Sequence, residues 1–336
     1  PNYNKSGSNF NWRSLVVQSN SSIKTLYNGL NRSNTWLFDR NLAGYSAMVT
    51  LTANRSYYPS KQVAHETLKK INPRDLSGRG NNILYSAQAG VIPKPNNPFQ
   101  QWGYLVNDLN IAIAVQDYGI EGRPSTDPNR DVIFLSFEGS HSNFDWVRNV
   151  LIEPANFYGT AVHGGFASAV RFVIDDVLPD PKSEFFARGL GRDVTLEQYF
   201  QGAARGDHSP VIVLSGHSLG GAIATLLGAY LIEIGVNPED ILVQTYGSPA
   251  VGRSNFVSKY KGSLNVRNFV NNNDPVPFAS RLCGNYRPIG NNYTFAEAGG
   301  SPSFDFSRLS TCKSFTDEVG LDTDSSNLKL LRYRSG

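Results

Sequence analysis

Ser218 lies in the segment VIVLSGHSLGGAIATLLGAY, residues 211–230, between a short apolar run and a run rich in Ala and Leu. These runs are typical of a buried strand and of a helix. The pattern Gly-x-Ser-x-Gly at such a strand–helix turn is typical of a nucleophilic serine, and the amide of Leu219, at the start of the helix, is placed to stabilise an oxyanion. The sequence predicts acyl-transfer chemistry at Ser218, against the alternative of a glycine-rich turn whose serine has no chemical role.

The elements that must position this serine are a set of apolar runs in the second half of the chain. Residues 110–119 and 131–140 are joined by a turn-rich segment, which predicts a hairpin. Residues 211–215, 241–246 and 265–270 are three more short apolar runs with helical patterns between them. Strands that alternate with helices favour an α/β fold with a mostly parallel central sheet and flanking helices.

The N-terminal third has a different character. Residues 1–40 are rich in Asn, Ser and Tyr without a clean period, which predicts an extended arm or irregular cap. A helix is expected at about 60–70, and residues 77–100, rich in Gly, Asn and Pro, are predicted to be surface loop. We therefore divide the chain into a cap over residues 1–100, packed on the core, and a core over residues 101–336, in one structural domain overall.

Composition excludes several classes of protein. Hydrophobic residues make up 40% of the chain and charged residues 18%, as in globular proteins. The net charge is +3 without a long Lys/Arg run, so no nucleic-acid partner is expected. The longest apolar stretch, residues 222–236, contains Glu233 and is shorter than the roughly 20 residues that span a bilayer, so no transmembrane segment is expected. The sequence starts at Pro1 and its single methionine is Met48, so we expect that an initiator and any signal peptide were removed or left out.

Cysteines and sequons bear on the compartment. No Cys/His cluster has the four ligands of a zinc site, so no metal and no cofactor are expected. The cysteine pair and the sequons favour a secreted or extracytoplasmic glycoprotein, and in that compartment the two cysteines are expected to form a disulfide. The residues concerned are Cys283 and Cys312, with the sequons at Asn4, Asn20, Asn31, Asn54 and Asn292.

Five motifs, in order along the chain, resemble those of the class 3, or fungal-type, lipases, a family that includes feruloyl esterases. The resemblance covers roughly residues 103–295 and implies an α/β-hydrolase fold that hydrolyses carboxylic esters. The motifs are FEGSHSNFDWVRN (137–149), VHGGF (162–166), GHSLGG (216–221), TYGSPAVG (245–252) and NNNDPVPFAS (271–280).

The resemblance implies roles for two more residues and for one segment. Asp274, directly after an apolar run, matches the acid that orients the catalytic base, and Ser140 matches the second oxyanion donor. The segment after Ser140 matches the family's lid. Its apolar residues fall on one helical stripe, as in a mobile lid that meets a lipid surface or in a surface helix packed permanently on the core. These residues are Phe144, Trp146, Val147, Val150 and Leu151.

The base that the family requires is missing from its expected place. All five histidines precede Asp274, and the segment that resembles the family's histidine motif has Leu330 at that position. Three explanations stay open: a base beyond Gly336, a catalytically degenerate lipase with a structural or binding role, or a recruited base, for which His141 is the nearest in sequence. Glu138, where the family usually has Arg, also favours degeneracy.

The sequence thus predicts a serine hydrolase of carboxylic esters that acts on acylglycerols. Ser218 would attack the ester, Asp274 would orient the base, and Ser140 and Leu219 would hold the oxyanion. A phospholipase or a feruloyl esterase remains an alternative, because the sequence does not define the acyl pocket. The expected partners are a lipid or ester substrate and, through the lid, a lipid surface.

Overall fold

The computed structural model describes residues 40–54, 60–71, 82–87, 109–117, 131–139, 154–187, 190–271 and 274–295. Within these ranges the chain forms one large mixed sheet with helices on both faces and two short hairpins. The order of the large sheet is β1-β2-β3-β8-β9-β10-β11. Its strands are β1 (Asn82–Ala87), β2 (Leu109–Asp117), β3 (Asp131–Phe137), β8 (Val211–His217), β9 (Ile241–Tyr246), β10 (Asn265–Asn271) and β11 (Asn291–Phe295).

The helices follow the strands in an alternating pattern from β8 onward. The described helices are α1 (Arg40–Ala53), α2 (Lys61–Ile71), α3 (Gly164–Phe172), α4 (Leu196–Arg205), α5 (Leu219–Glu233), α6 (Ser254–Tyr260) and α7 (Val276–Gly284). The two hairpins are β4 (Pro154–Phe157) with β5 (Thr160–His163), and β6 (Phe185–Ala187) with β7 (Arg192–Val194).

The pairing of the strands confirms the α/β organisation that the sequence predicts. β2 pairs antiparallel with β3, as the predicted hairpin requires, and β3 pairs parallel with β8. β8, β9, β10 and β11 then follow in parallel. The predicted helix near 60–70 is α2. The carboxyl ends of the parallel strands therefore meet at one edge of the sheet, where ligands bind in open α/β folds.

β3 shows why the sheet is buried on both faces. Ile133 and Leu135 belong to a large hydrophobic cluster that also contains residues of α3 and α5. Val132 and Phe134, which point to the other face because side chains alternate along a strand, belong to a second cluster with residues of α1. All seven residues of β3 are buried, and its apolar run Val132–Leu135 reflects the helices on either side.

The prediction for residues 77–100 was wrong in part, because Asn82–Ala87 forms an edge strand of the sheet and not surface loop. α1, for which no element was predicted, packs on the sheet through Tyr45, whose ring lies 4.8 Å from that of Phe134. The hydroxyl of Tyr246 also donates to the carbonyl of Ala43 at 2.7 Å. The N-terminal region therefore contributes a helix and a strand to the same structure as β2–β11. The arm over residues 1–39 lies outside the described residues, and the division at residue 100 stays a prediction.

Candidate active site

Ser218 lies at the carboxyl end of β8, in the turn that begins α5. β8 occupies the middle position of the described sheet. The serine has φ 52° and ψ −120°, a conformation that costs a non-glycine residue about 1–3 kcal/mol and is found mainly at functional sites. Its amide is held by the carbonyl of Tyr246 at 3.0 Å. The strand, strained turn and helix predicted around Ser218 are all present.

The glycines of the pattern are required by close approach of the backbone. A methyl group on Gly216 would lie 2.1 Å from the carbonyl carbon of Gly220, and a methyl group on Gly220 would lie 2.2 Å from the carbonyl oxygen of Phe137. Real methyl groups do not come this close to backbone atoms, so no side chain fits at either position. The Gly-x-Ser-x-Gly spacing therefore lets α5 start directly against the ends of β8 and β3.

The amide of Leu219 is free to act as a donor. The first amides of a helix have no acceptor within the helix, and that of Leu219 makes no hydrogen bond with another described residue. By contrast, the amides of Gly221 and Ala222 donate to the carbonyl of Ser218 at 3.0 and 3.3 Å. Leu219 itself is buried, so a charge that its amide stabilised would lie in surroundings of low dielectric constant. Ser140, the second predicted donor, lies outside the described residues.

Asp274 lies between β10 and α7, on the same sheet edge as Ser218. Its Oδ1 accepts a hydrogen bond from the amide of Val276, the first residue of α7, at 3.0 Å. Burial raises the pKa of Asp274 from 3.8 to about 6, and this backbone hydrogen bond only partly opposes the rise. The carboxylate makes no ion pair with another described residue. The carboxylate can therefore accept a further hydrogen bond or pair with a cation.

His217 also lies in this group, although the sequence analysis assigned it no chemical role. A methyl group on Gly139 would lie 3.0 Å from His217 Nδ1 and 3.5 Å from Ser218 Cβ. A methyl group on Gly247 would lie 2.4 Å from Asp274 Oδ2 and 3.8 Å from His217 Nε2. A side chain at Gly139 would therefore contact both His217 and Ser218, and one at Gly247 would contact both Asp274 and His217. The sequence held a signal for the positions of the two glycines, since Gly139 lies at the end of a predicted strand and Gly247 directly follows another.

Glu138 adjoins this group at the end of β3. Its side chain is buried, and Oε2 accepts a hydrogen bond from the amide of Asn110 at 3.2 Å. The amide of Glu138 in turn donates to the carbonyl of Asn110 at 3.0 Å. The acid thus closes the end of the β2–β3 ladder, which gives it a structural role in place of the Arg expected from the resemblance.

Several predicted residues are not brought to the site by the described structure. The lid residues, Leu330 and Cys312 lie outside the described residues, as do three sequons. Cys283 lies in α7, at its carboxyl-terminal end. Asn54 is only 6% exposed, which disfavours glycan attachment in the folded chain, whereas Asn292 lies exposed on β11. The lid residues and the outlying sequons are Phe144, Trp146, Val147, Val150 and Leu151, with Asn4, Asn20 and Asn31.

Metal sites, membrane spans and cavities were also considered among the described residues. Across these ranges, no group of three or more His, Cys, Asp or Glu residues is arranged to hold a metal ion. No helix among them is long and apolar enough to cross a membrane. A cavity of about 160 Å³ lies among α5, α7, β10 and β11, and its lining includes Thr225, Val270 and Phe278 but neither Ser218 nor Asp274. That cavity is therefore separate from the group at the strand ends.

Comparison with known proteins agrees with this geometry. Residues 134–282 match the model of the lipase (class 3) family. It is 29% identical over 196 residues to the secreted mono- and diacylglycerol lipase 1 of Fusarium solani, an alignment that covers 53% of this chain and 52% of that protein. It is 48% identical over 126 residues to the toxin TseL of Vibrio cholerae, covering 38% of this chain and 16% of the toxin.

The fold is similar to that of the lipase from Rhizopus microsporus var. chinensis, with a TM-score of 0.51 and 20% identity. This likeness covers 82% of this chain and 81% of that lipase. It supports the α/β fold with a mostly parallel central sheet. The chain spans about half the length of the Fusarium relative.

Proposed function

We propose that the chain hydrolyses carboxylic esters through a covalent acyl intermediate on Ser218, and that its substrates are acylglycerols. The observation that carries the proposal is the strained conformation of Ser218, at φ 52° between β8 and α5, beside the free amide of Leu219. Strain of this kind is retained where function requires it. The serine hydroxyl attacks the ester carbonyl, and the amide holds the negative charge that develops on the carbonyl oxygen.

Asp274 and Ser140 complete the proposed machinery. Asp274 lies after the end of β10, and its carboxylate accepts no hydrogen bond from a described side chain, which supports its assignment as the group that orients and stabilises a protonated base. Ser140 would add a second donor for the oxyanion. Removal of one such donor typically costs about 3–4 kcal/mol of transition-state stabilisation.

The acylglycerol part of the proposal is supported by the class 3 lipase match and by the Fusarium relative, which is named as a secreted lipase of mono- and diacylglycerols. By the same likeness we propose an extracytoplasmic location. The predicted lid would contact the lipid surface. A panel of monoacylglycerol, diacylglycerol, phospholipid and feruloyl ester substrates would rank these classes, and preference for the phospholipid or the feruloyl ester would replace the acylglycerol assignment.

The experiment that tests the proposal compares Ser218→Ala with a matched serine. Ser254 also lies at the start of a helix, but it is exposed at the first position of α6, away from the carboxyl end of β8. We expect Ser218→Ala to lower hydrolysis of p-nitrophenyl butyrate and of monoacylglycerol by about 10³-fold or more, because the nucleophile is lost. Ser254→Ala should retain the activity of the unmodified chain. Equal activity of the two variants would refute the proposal.

A further inference from the structure

The strained backbone of Ser218 needs contacts that hold it in place. Its carbonyl accepts hydrogen bonds from the amides of Gly221 and Ala222, which belong to α5 itself. Its amide donates to the carbonyl oxygen of Tyr246, the last residue of β9, at 3.0 Å. Among the described residues, Tyr246 is therefore the residue outside α5 to which the backbone of the nucleophile is hydrogen-bonded.

The side chain of Tyr246 is held at two further points. Its hydroxyl donates to the carbonyl of Ala43, in α1, at 2.7 Å. Its ring stacks on that of Phe269, with the ring centres 5.3 Å apart and the planes 16° from parallel. A side chain held at both its ring and its hydroxyl limits how far its own carbonyl can shift. One residue thus joins α1 to the amide of Ser218.

A second polar contact joins α1 to β8, the strand that carries the nucleophile. The hydroxyl of Thr50 is hydrogen-bonded to that of Ser215 at 2.9 Å, and Ser215 is also hydrogen-bonded to Ser136 of β3. All three side chains are buried, so their hydrogen bonds have no competition from water. Ser215 precedes Ser218 by three residues in the sequence. α1 is therefore linked to both strands, β8 and β9, whose ends form the nucleophilic turn.

These two contacts fix α1 more narrowly than its apolar packing does. Hydrophobic contact is non-directional, so it holds a helix on a sheet without defining its position along the strands. Ala43 and Thr50 are seven residues apart, close to two turns, and so lie on the same side of α1. α1 also lies outside residues 134–282, which match the lipase family model. An element beyond that match is thus connected to the candidate site.

We propose that α1 positions the nucleophile, chiefly through Tyr246 and secondarily through Thr50. The inference rests on the hydrolysis through Ser218 proposed above, in which neither residue contacts the ester. Without the hydroxyl of Tyr246, its ring and carbonyl are less restrained, and Ser218 adopts its strained conformation less often. The loss falls on the reaction of the bound ester and not on its binding, so kcat should fall while KM stays nearly unchanged.

The test compares Tyr246→Phe with Tyr260→Phe in the 336-residue chain. Tyr260 is buried, and its hydroxyl donates to Glu233 at 2.8 Å, so both variants lose one tyrosine hydrogen bond. Glu233 lies at the far end of α5 from Ser218, about 20 Å away at roughly 1.5 Å per residue. The rates measured are hydrolysis of p-nitrophenyl butyrate and labelling by an alkyl fluorophosphonate, at a temperature where unfolding curves show both variants folded.

We expect Tyr246→Phe to lower kcat and the labelling rate by about tenfold or more, because a misplacement of about 1 Å can cost up to about 10²-fold. Tyr260→Phe should keep both rates. Unchanged rates in Tyr246→Phe, or equal losses in the two variants, would overturn the positioning role and leave the proposed function standing. The second outcome would assign both losses to reduced stability.

A second pair of variants tests the contact at Thr50. Thr52 is the control, because it is also buried in α1 but its hydroxyl donates to the carbonyl of Val49 within the helix, at 2.7 Å. Thr50→Val should lower the labelling rate more than Thr52→Val does, and Thr50→Ser, which keeps the hydroxyl, should restore it. Equal rates for both valine variants would remove Thr50 from the proposal.

Hydrogen exchange tests the link without any need for activity. The amide of Ser218 should exchange faster in Tyr246→Phe than in Tyr260→Phe, because its acceptor carbonyl is less restrained. If the unmodified chain neither hydrolyses the ester nor reacts with the fluorophosphonate, the proposed function fails. Faster exchange in Tyr246→Phe alone would then preserve the link between α1 and the turn, and equal exchange in the two variants would overturn that link as well.

Discussion

Asp274→Asn should stabilise the folded protein at neutral pH, because burial of the carboxylate opposes folding. The rise of its pKa from 3.8 to about 6 means that ionised Asp274 costs the folded state about 3 kcal/mol, at roughly 1.4 kcal/mol for each pKa unit. The asparagine carries no charge and keeps an oxygen that can accept the hydrogen bond from the amide of Val276. The substitution therefore removes most of the electrostatic cost and preserves the hydrogen bond to the first residue of α7.

The sign of the effect sets the pH at which it is visible. Below pH 3.8 the carboxyl is protonated in the folded and the unfolded chain, so the cost is absent. Above about pH 6 it is ionised in both, so the whole cost is present. The free energy of unfolding of Asp274→Asn minus that of the unmodified chain should grow by up to about 3 kcal/mol between pH 4 and pH 7.5. Urea denaturation at several pH values measures this difference, and constant effects of the new side chain cancel between them.

Asp193→Asn is the matched control, because Asp193 is exposed on β7 and its substitution changes the net charge in the same way. A change with pH that both variants share would reflect the loss of one negative charge and not the burial of Asp274. If instead Asp274→Asn is less stable than the unmodified chain at pH 7.5 and the deficit shrinks toward pH 4, the carboxylate is paired with a cation in the folded protein. That result would refute the view of Asp274 as an unpaired acid.

Three further predictions concern the turn, a buried histidine and the packing of α1. Gly216→Ala should abolish hydrolysis and lower the unfolding temperature, because the new methyl group would lie 2.1 Å from a backbone atom of Gly220. The control Gly262→Ala, with open space around its methyl group, should retain activity, and equal activity of the two variants would contradict the turn geometry. Burial lowers the pKa of His208 below 6.5, so the unfolded chain binds a proton before the folded chain does, and the free energy of unfolding decreases as the pH falls below about 6.5. In urea denaturation, His208→Gln should therefore lose less stability than the unmodified chain between pH 7 and pH 5, and an equal loss would be inconsistent with this cause. Tyr246→Phe should lose about 1–3 kcal/mol of unfolding free energy, since the carbonyl of Ala43 loses its buried donor, and an unchanged value would argue against that contact.

The strands around the nucleophile could be predicted from sequence because buried strands have an apolar local composition. β3 and β8 each contain a run of four apolar residues, and Gly-x-Ser-x-Gly between a strand and an Ala/Leu-rich segment indicates a particular turn. α5, which carries Ser218 at its start, is buried on nearly every side, so its sequence is apolar all round. At these positions local preference and tertiary packing agree.

The N-terminal elements could not be predicted in the same way. α1 contains Gly44 and several β-branched residues, which weaken helix propensity, and it is stabilised by the packing of Leu42, Tyr45 and Val49 on the sheet. β1 is a six-residue edge strand within a region rich in Gly, Asn and Pro, and its pairing with β2 is a long-range contact. In both cases the structure depends on a distant surface that composition does not reveal.

The candidate site shows the same limit on a smaller scale. Ser218 and Asp274 stand out by motif and by position after a strand. The surroundings of His217 depend on how closely Gly139 and Gly247 approach its ring, and these distances cannot be inferred from the spacing of the residues along the chain.

The measurement that tests the central claim most directly is covalent labelling of Ser218. The 336-residue chain is treated with an alkyl fluorophosphonate, which reacts with activated serines, and peptides are analysed by mass spectrometry as hydrolysis of p-nitrophenyl butyrate is followed. We expect one adduct per chain, on the peptide that contains Ser218, formed at the rate at which hydrolysis is lost. Hydrolysis that continues after Ser218 is fully labelled, or an adduct found only on another serine, would contradict the assignment of Ser218 as the nucleophile.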